Sequence, residues 1–94
     1  MGDKTQLPGW FDGLAALAAR QGRHERVIRL GGVAAALRDA IGSPLSRLER
    51  REQEEIMGRV RAEIGEEAWR RAWESGQSMT LEEAMAYALH ARQE

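Results

Sequence analysis

No cysteine occurs in the 94 residues. That excludes disulfide staples and thiolate metal sites, and it fits a reducing cytoplasm, the location expected for this chain. Lysine is almost missing too: Lys4 is the only one. The positive charge is therefore arginine, read here as the mark of a GC-rich genome rather than of arginine-specific chemistry. No apolar run approaches the roughly 18 residues of a membrane span. Residues 1–8 are polar and lack the apolar core of a signal peptide. No low-complexity segment and no alternating β-branched run is present, so strand signals are weak. No Gly-rich loop ends in Lys-Ser or Lys-Thr, which removes the commonest phosphate cradle. Formal net charge is −1 with 31% charged residues, excluding a strongly basic chain while leaving room for a local patch. The length suits one small domain with a thin core.

What the sequence does hold is helical punctuation. A flexible segment is expected over residues 1–7 and a single helical domain over 8–94. The first helix should run over 8–20, with Pro8 tolerated in its opening turn. Trp10, Leu14 and Leu17 form one apolar stripe on it, with Phe11, Ala15 and Ala18 beside them, and Gly22 as the stop. A second helix, 24–41, has its seam at Val27, Leu30, Ala34, Leu37 and Ile41. Gly31 and Gly32 sit inside it at about 1 kcal/mol each relative to alanine, which implies a neighbouring helix in close approach. Gly42-Ser43-Pro44 stops it. A third helix opens at Ser43 or Ser46, with Ser46 and Glu49 spaced as a capping box, and reaches Ile64. Its apolar edge is Leu45, Leu48, Ile56, Val60 and Ile64, and Arg50–Glu54, Arg51–Glu55 and Glu55–Arg59 can pair at one-turn spacing. The fourth, 66–75, carries Ala68, Trp69, Ala72 and Trp73 and is expected to stop at Gly76. Thr80 and Glu83 form a second box, opening a fifth helix to about Arg92. Leu81, Ala84, Met85, Ala88 and Leu89 line its buried side.

The first two helices resemble one tetratricopeptide unit: Phe11, Leu14, Ala15 and Ala18 match its first helix, and Val27, Gly31 and Ala34 its second. The longer order is more specific. Residues 13–18 (GLAALA), 29–38 (RLGGVAAALR), 41–45 (IGSPL), 64–69 (IGEEAW), 72–76 (AWESG) and 81–89 (LEEAMAYAL) follow one another as in the C-terminal, tetratricopeptide-like tail of bacterial LuxR-type and SARP-type transcriptional regulators and of proteins called predicted ATPases. The resemblance spans Trp10 to Leu89. It implies an all-α chain of about five helices, antiparallel hairpins stacked in an α-α superhelix, with a C-terminal capping helix. It also implies a non-enzymatic protein–protein interaction module, since that tail holds neither the ATPase nor the DNA-binding chemistry.

Candidate chemistry is sparse. His24 and His90 have no carboxylate or cysteine at ligand spacing, so surface or capping roles are expected, with no metal and no cofactor. Glu54-Glu55, Glu66-Glu67 and Glu82-Glu83 are adjacent on helices and diverge by about 100°, which does not make an acid–base dyad, and no catalytic residue is assigned. Trp69 and Trp73, one turn apart, are expected as core anchors whose indole N–H groups need partners; a ligand pocket beside them is an alternative. Arg47, Arg50 and Arg51 are the candidate phosphate contacts of a small DNA-contacting regulator, the second reading of function. Nucleic acid is not expected to be the main partner, because glutamates interleave with them. The partner is expected to be protein. A tetratricopeptide-like hairpin does not bury its apolar faces alone, and the flank carrying Trp10, Phe11, Leu14 and Leu17 should be covered by a second copy in a homodimer or by adjoining repeats.

Overall fold

The computed structural model describes residues 7–91, with the side chains of residues 90 and 91 left aside. The expected flexible segment therefore falls outside the described residues except for Leu7, and so does the expected helix end at Arg92. Five helices follow one another: α1 (Leu7–Arg20), α2 (His24–Ile41), α3 (Arg47–Ile64), α4 (Glu66–Ser78) and α5 (Leu81–Ala91), with no strand among the described residues. Gly22, Gly42 and Gly65 carry positive φ at the turns. Both capping boxes form. The Ser46 N–H donates to Glu49 Oε1 at 3.0 Å and the Glu49 N–H to Ser46 Oγ at 3.2 Å. The Thr80 N–H donates to Glu83 Oε1 at 2.8 Å and the Glu83 N–H to Thr80 Oγ1 at 3.1 Å.

α2 is the centre. α1 and α4 pack along it extensively, while α3 rests more lightly on α2, α4 and α1, and α5 touches α2. The assembly measures 38 × 33 × 22 Å. Its short dimension is about two helix diameters, so the helices around α2 each keep an open side, while α2 is buried along consecutive positions from Arg26 to Ala34 apart from Arg29.

Small residues decide which side is covered. Among the described residues half of the buried hydrophobic side chains are alanines: Ala15, Ala18, Ala34, Ala72, Ala84 and Ala88. On α1 the buried row is Pro8, Phe11, Ala15 and Ala18, not the bulkier Trp10–Leu14–Leu17 stripe beside it. Alanine rows let backbones come close and gain dispersion contacts over short distances. The same choice corrects two expectations. Leu81 and Leu89, expected inside α5, are 40% and 49% exposed, while Ala84 and Ala88 are buried. Leu48, expected on the buried edge of α3, is 66% exposed, because α3 meets the core only through its later turns, at Ile56, Met57, Val60 and Ile64.

The α2–α4 crossing rests on two glycines. A Cβ on Gly32 would lie 2.6 Å from the Trp73 carbonyl oxygen, and one on Gly76 would lie 2.1 Å from the Arg29 carbonyl oxygen. Backbone therefore meets backbone. Gly76, expected as the stop of α4, is instead buried inside it, and the helix continues to Ser78. A glycine needed for approach and one needed for a cap look alike in sequence.

Candidate functional site

The expected interaction flank is divided by the fold. Phe11 is fully buried (0% exposed), so it is corrected from surface to core; its position on the alanine row of α1 puts it against α2. Leu14 is half-buried, while Trp10 and Leu17 are 38% and 45% exposed. Trp10 sits edge-on to Phe11, with ring centroids 4.9 Å apart. The buried ring thus fixes the base of the exposed one. Trp10, Leu14 and Leu17 lie seven residues apart end to end, two helical turns, and share one face.

Behind that stripe α1 is clasped to α2 and α3. Asp12 Oδ2 pairs with Arg38 Nη2, and the Gln53 amide donates to Asp12 Oδ1 at 3.3 Å. Burial pushes the Asp12 carboxyl above its ordinary value of 3.8, against the hydrogen bond and charge of Arg38, which act to lower it. Two exposed carboxyls move the other way. The backbone N–H of Ser46 lowers Glu49, and the Arg61 guanidinium lowers Glu66. Signs follow from these directions. Glu49 and Glu66 give stability that is lost as pH falls through their lowered values. Asp12 gives stability that is complete below 3.8 and fades as pH rises through its raised value, so its protonation resists acid unfolding. An Asp12→Asn chain should therefore lose stability more steeply than the parent between neutrality and the acid range. Urea unfolding at several pH values measures this; a shallower slope in the variant would contradict it.

α3 presents Arg47, Arg50 and Arg51 to solvent. Five arginines and five glutamates alternate along this helix, so no net positive field builds there. The three one-turn ion pairs expected on α3 do not form. Ion pairs form instead at Arg29–Glu25, Arg38–Asp12 and Arg61–Glu66.

A second feature lies between α2, α3 and α4, where a cleft of about 480 Å³ is lined in part by Arg38, Arg50, Met57, Arg61, Trp69 and Trp73. Trp69 and Trp73 are half-buried and pack against the core, and they stack with centroids 5.5 Å apart at 13°. The Arg61 guanidinium lies 4.3 Å from the Trp69 ring centroid, held there by Glu66, whose Oε1 accepts from Arg61 Nε at 2.8 Å. Trp69 Nε1 and Arg38 Nη1 are buried without a hydrogen-bond partner.

Several of these residues escaped sequence reasoning. Arg26 is 8% exposed, donates to the Ala88 carbonyl at 3.2 Å and lies 5.4 Å from the Tyr87 ring centre. It ties α5 to α2. The available signal was a charge on the helical register of Leu30 and Val33. Asp12, Arg38 and Gln53 gave no such signal, because their contact joins positions far apart in the chain. His24 is half-buried with Nδ1 inside; the His90 side chain lies outside the described residues. Among the described residues no three His, Cys, Asp or Glu side chains gather as a metal set, and no helix is long and apolar enough to cross a membrane.

Comparison with known proteins adds one similarity. Over 88 residues, 94% of this chain, it is 33% identical to proteins of Mycobacterium bovis (strain ATCC BAA-935 / AF2122/97) and Mycobacterium tuberculosis (strain ATCC 25618 / H37Rv) that carry the provisional name HTH-type transcriptional regulator. The match takes in 10% of each relative, so this chain spans about a tenth of their length. Those names describe regulators and no enzymatic reaction. No family model matches the chain, and no solved structure matches it significantly.

Proposed function

We propose that this chain is a non-enzymatic, protein-binding helical module of a transcriptional regulator, built as tetratricopeptide-like hairpins, with Trp10, Leu14 and Leu17 as its docking stripe. One observation carries the reading: α1 buries Phe11, Ala15 and Ala18 and leaves Trp10 and Leu17 exposed on another face, with Leu14 half-buried between them. An isolated exposed leucine is ordinary; a tryptophan and leucine row on one open helix face marks an interaction surface. The regulator-named relatives support the context, and a cytoplasmic location goes with it. In the isolated chain the stripe is covered by a second copy, through a two-fold interface that uses the same patch twice.

Light scattering tests this. The parent chain should run as a dimer at high micromolar concentration, and Trp10→Asp should be monomeric with its helical content unchanged. A parent that is monomeric throughout would refute self-association through α1.

A second reading is favoured by the HTH-type name of the relatives: DNA contact through Arg47, Arg50 and Arg51. The interleaved glutamates of α3 weigh against it. The same protein applied to heparin separates the two. DNA-type binding gives retention that collapses with added salt as counterion release weakens, whereas the protein-binding module elutes early.

A further inference from the structure

We infer that α2 carries a helix-receiving groove of which α5 is a removable occupant. An amphipathic helix of a protein partner, with two small residues one turn apart, takes the same place when α5 lifts away. The groove is defined by what α5 touches. Tyr87 meets Arg26 and Arg29 of α2, whose guanidinium carbons lie 5.4 and 5.8 Å from its ring centre. The Ala88 carbonyl accepts from Arg26 at 3.2 Å. Towards the other end of α2, Ala84 shares a cleft with Val33, Ala36 and Ala40. Positions 26, 29, 33, 36 and 40 alternate steps of three and four, so they form one stripe along α2. α5 lies antiparallel along that stripe, and Gly76 and Met79 of α4 help to line it.

α5 is the most lightly held of the five helices. Among the described residues the side chains it buries are Ala84 and Ala88, while Leu81 and Leu89 stay exposed. Alanine removes little apolar area from water, and a cleft of about 200 Å³ remains beside Ala84. Docking also encloses the Arg26 guanidinium against a main-chain carbonyl rather than a carboxylate, with its Nη1 buried and lacking an acceptor. Enclosing a charge in that way is costly, and undocking replaces Ala88 and Tyr87 by water. Little holds α5 together on its own, since a helix of 11 residues is marginal in water. Segments with so little buried apolar surface open independently of the core. α5 therefore melts as it leaves and empties the groove.

The same contacts define the partner. An amphipathic helix laid in a groove is read through residues one turn apart. Here those are Ala84 and Ala88, both fully enclosed, so a larger side chain at the second position has nowhere to go. An aromatic residue just before that second small one repeats the contact of Tyr87 with the two guanidinium groups. The fitting segment is thus a helix with a small residue, two positions of any kind, an aromatic and a second small residue, as in 84–88 (AMAYA) of α5 itself.

Hydrogen exchange followed by NMR tests the opening. In the parent chain the α5 amides should exchange at least about a hundredfold faster than those of α2; equal rates would overturn the inference. Ala88→Glu, which puts a charge at an enclosed position, should release α5 and leave the amides of α2 and α4 protected. Loss of protection throughout would also overturn it, because α5 would then be integral to the fold. A synthetic peptide of residues 78–94 tests the groove. It should bind the Ala88→Glu chain, one per chain, and return the amide shifts of Val33 and Ala36 towards their parent positions. The parent should bind it at least about tenfold more weakly, since its tethered α5 competes at a high effective concentration. The peptide carrying Ala88→Leu should bind the opened chain at least about tenfold more weakly than the native peptide, because the enclosed site does not admit the larger side chain. No binding to the opened chain, or equal binding by the two peptides, would sink the proposal. None of these readouts involves Trp10, Leu14 or Leu17, so their failure would leave the α1 docking stripe standing.

Discussion

A Gly76→Ala chain should melt roughly 10–20 °C below the parent. The new Cβ would stand 2.1 Å from the Arg29 carbonyl oxygen and 2.9 Å from its carbon. Both are backbone atoms of α2 and move only if the whole helix moves. Overpacking of this kind costs typically 1–3 kcal/mol and occasionally more, and an unyielding backbone puts it at about 3–4 kcal/mol. Alanine returns about 1 kcal/mol through helix propensity, leaving a net loss of about 2–3 kcal/mol. For a domain of this size each kcal/mol is worth about 4–8 °C. The control is Gly58→Ala on α3, where an added Cβ meets nothing within 4 Å. There the propensity gain of about 1 kcal/mol acts alone and the melting point should rise. Thermal melts followed by circular dichroism compare all three chains. A Gly76→Ala chain as stable as the parent would mean that α2 and α4 do not touch at these glycines.

Phe11→Ala should cost about 3–5 kcal/mol, the usual range for removing a buried phenylalanine. Phe11 is fully enclosed and is among the largest of the fully buried side chains. A total stability of roughly 0.05–0.15 kcal/mol per residue makes that a large share of what holds the chain folded. The neighbouring substitution gives the contrast. Trp10→Ala removes a bigger side chain, but one that is 38% exposed. Its edge contact with Phe11 is worth about 0.5–1.5 kcal/mol, with a further contribution from whatever area it covers. Urea denaturation of the two variants should therefore rank Phe11→Ala as much the more damaging. The reverse order would mean that α1 is rotated by one residue about its axis, with the tryptophan row inside. That result would remove the docking stripe along with the packing scheme.

The elements themselves were legible because each is set by its nearest neighbours. Ser46 with Glu49, and Thr80 with Glu83, open helices through hydrogen bonds three residues apart. Gly22, Gly42 and Gly65 end them through their own φ angles. Nothing distant is needed for either. Gly76 shows where that logic stops, since its neighbours read as a cap and its reason for being glycine is Arg29, far back in the chain. The cleft was legible only as a pair of tryptophans in need of partners. Arg38 and Arg61 reach it through their bonds to Asp12 and Glu66, and the first of these links helices that are adjacent only after folding. The clasp of Asp12, Arg38 and Gln53 left no trace in periodicity, because three polar residues on three different helices look solvated one helix at a time.

The amino-acid order alone set the number of helices, the ends of α1, α2 and α3, the absence of thiol chemistry and the need for a tight crossing somewhere along Gly31-Gly32. All of these are short-range consequences of capping, φ preference and side-chain size. Tertiary structure decided which of two apolar rows on α1 was covered, which partner the central glycines met and which guanidinium groups gathered at one cleft. Those outcomes are set by how closely two helix axes can approach. That distance belongs to a pair of surfaces, and neither helix states it alone.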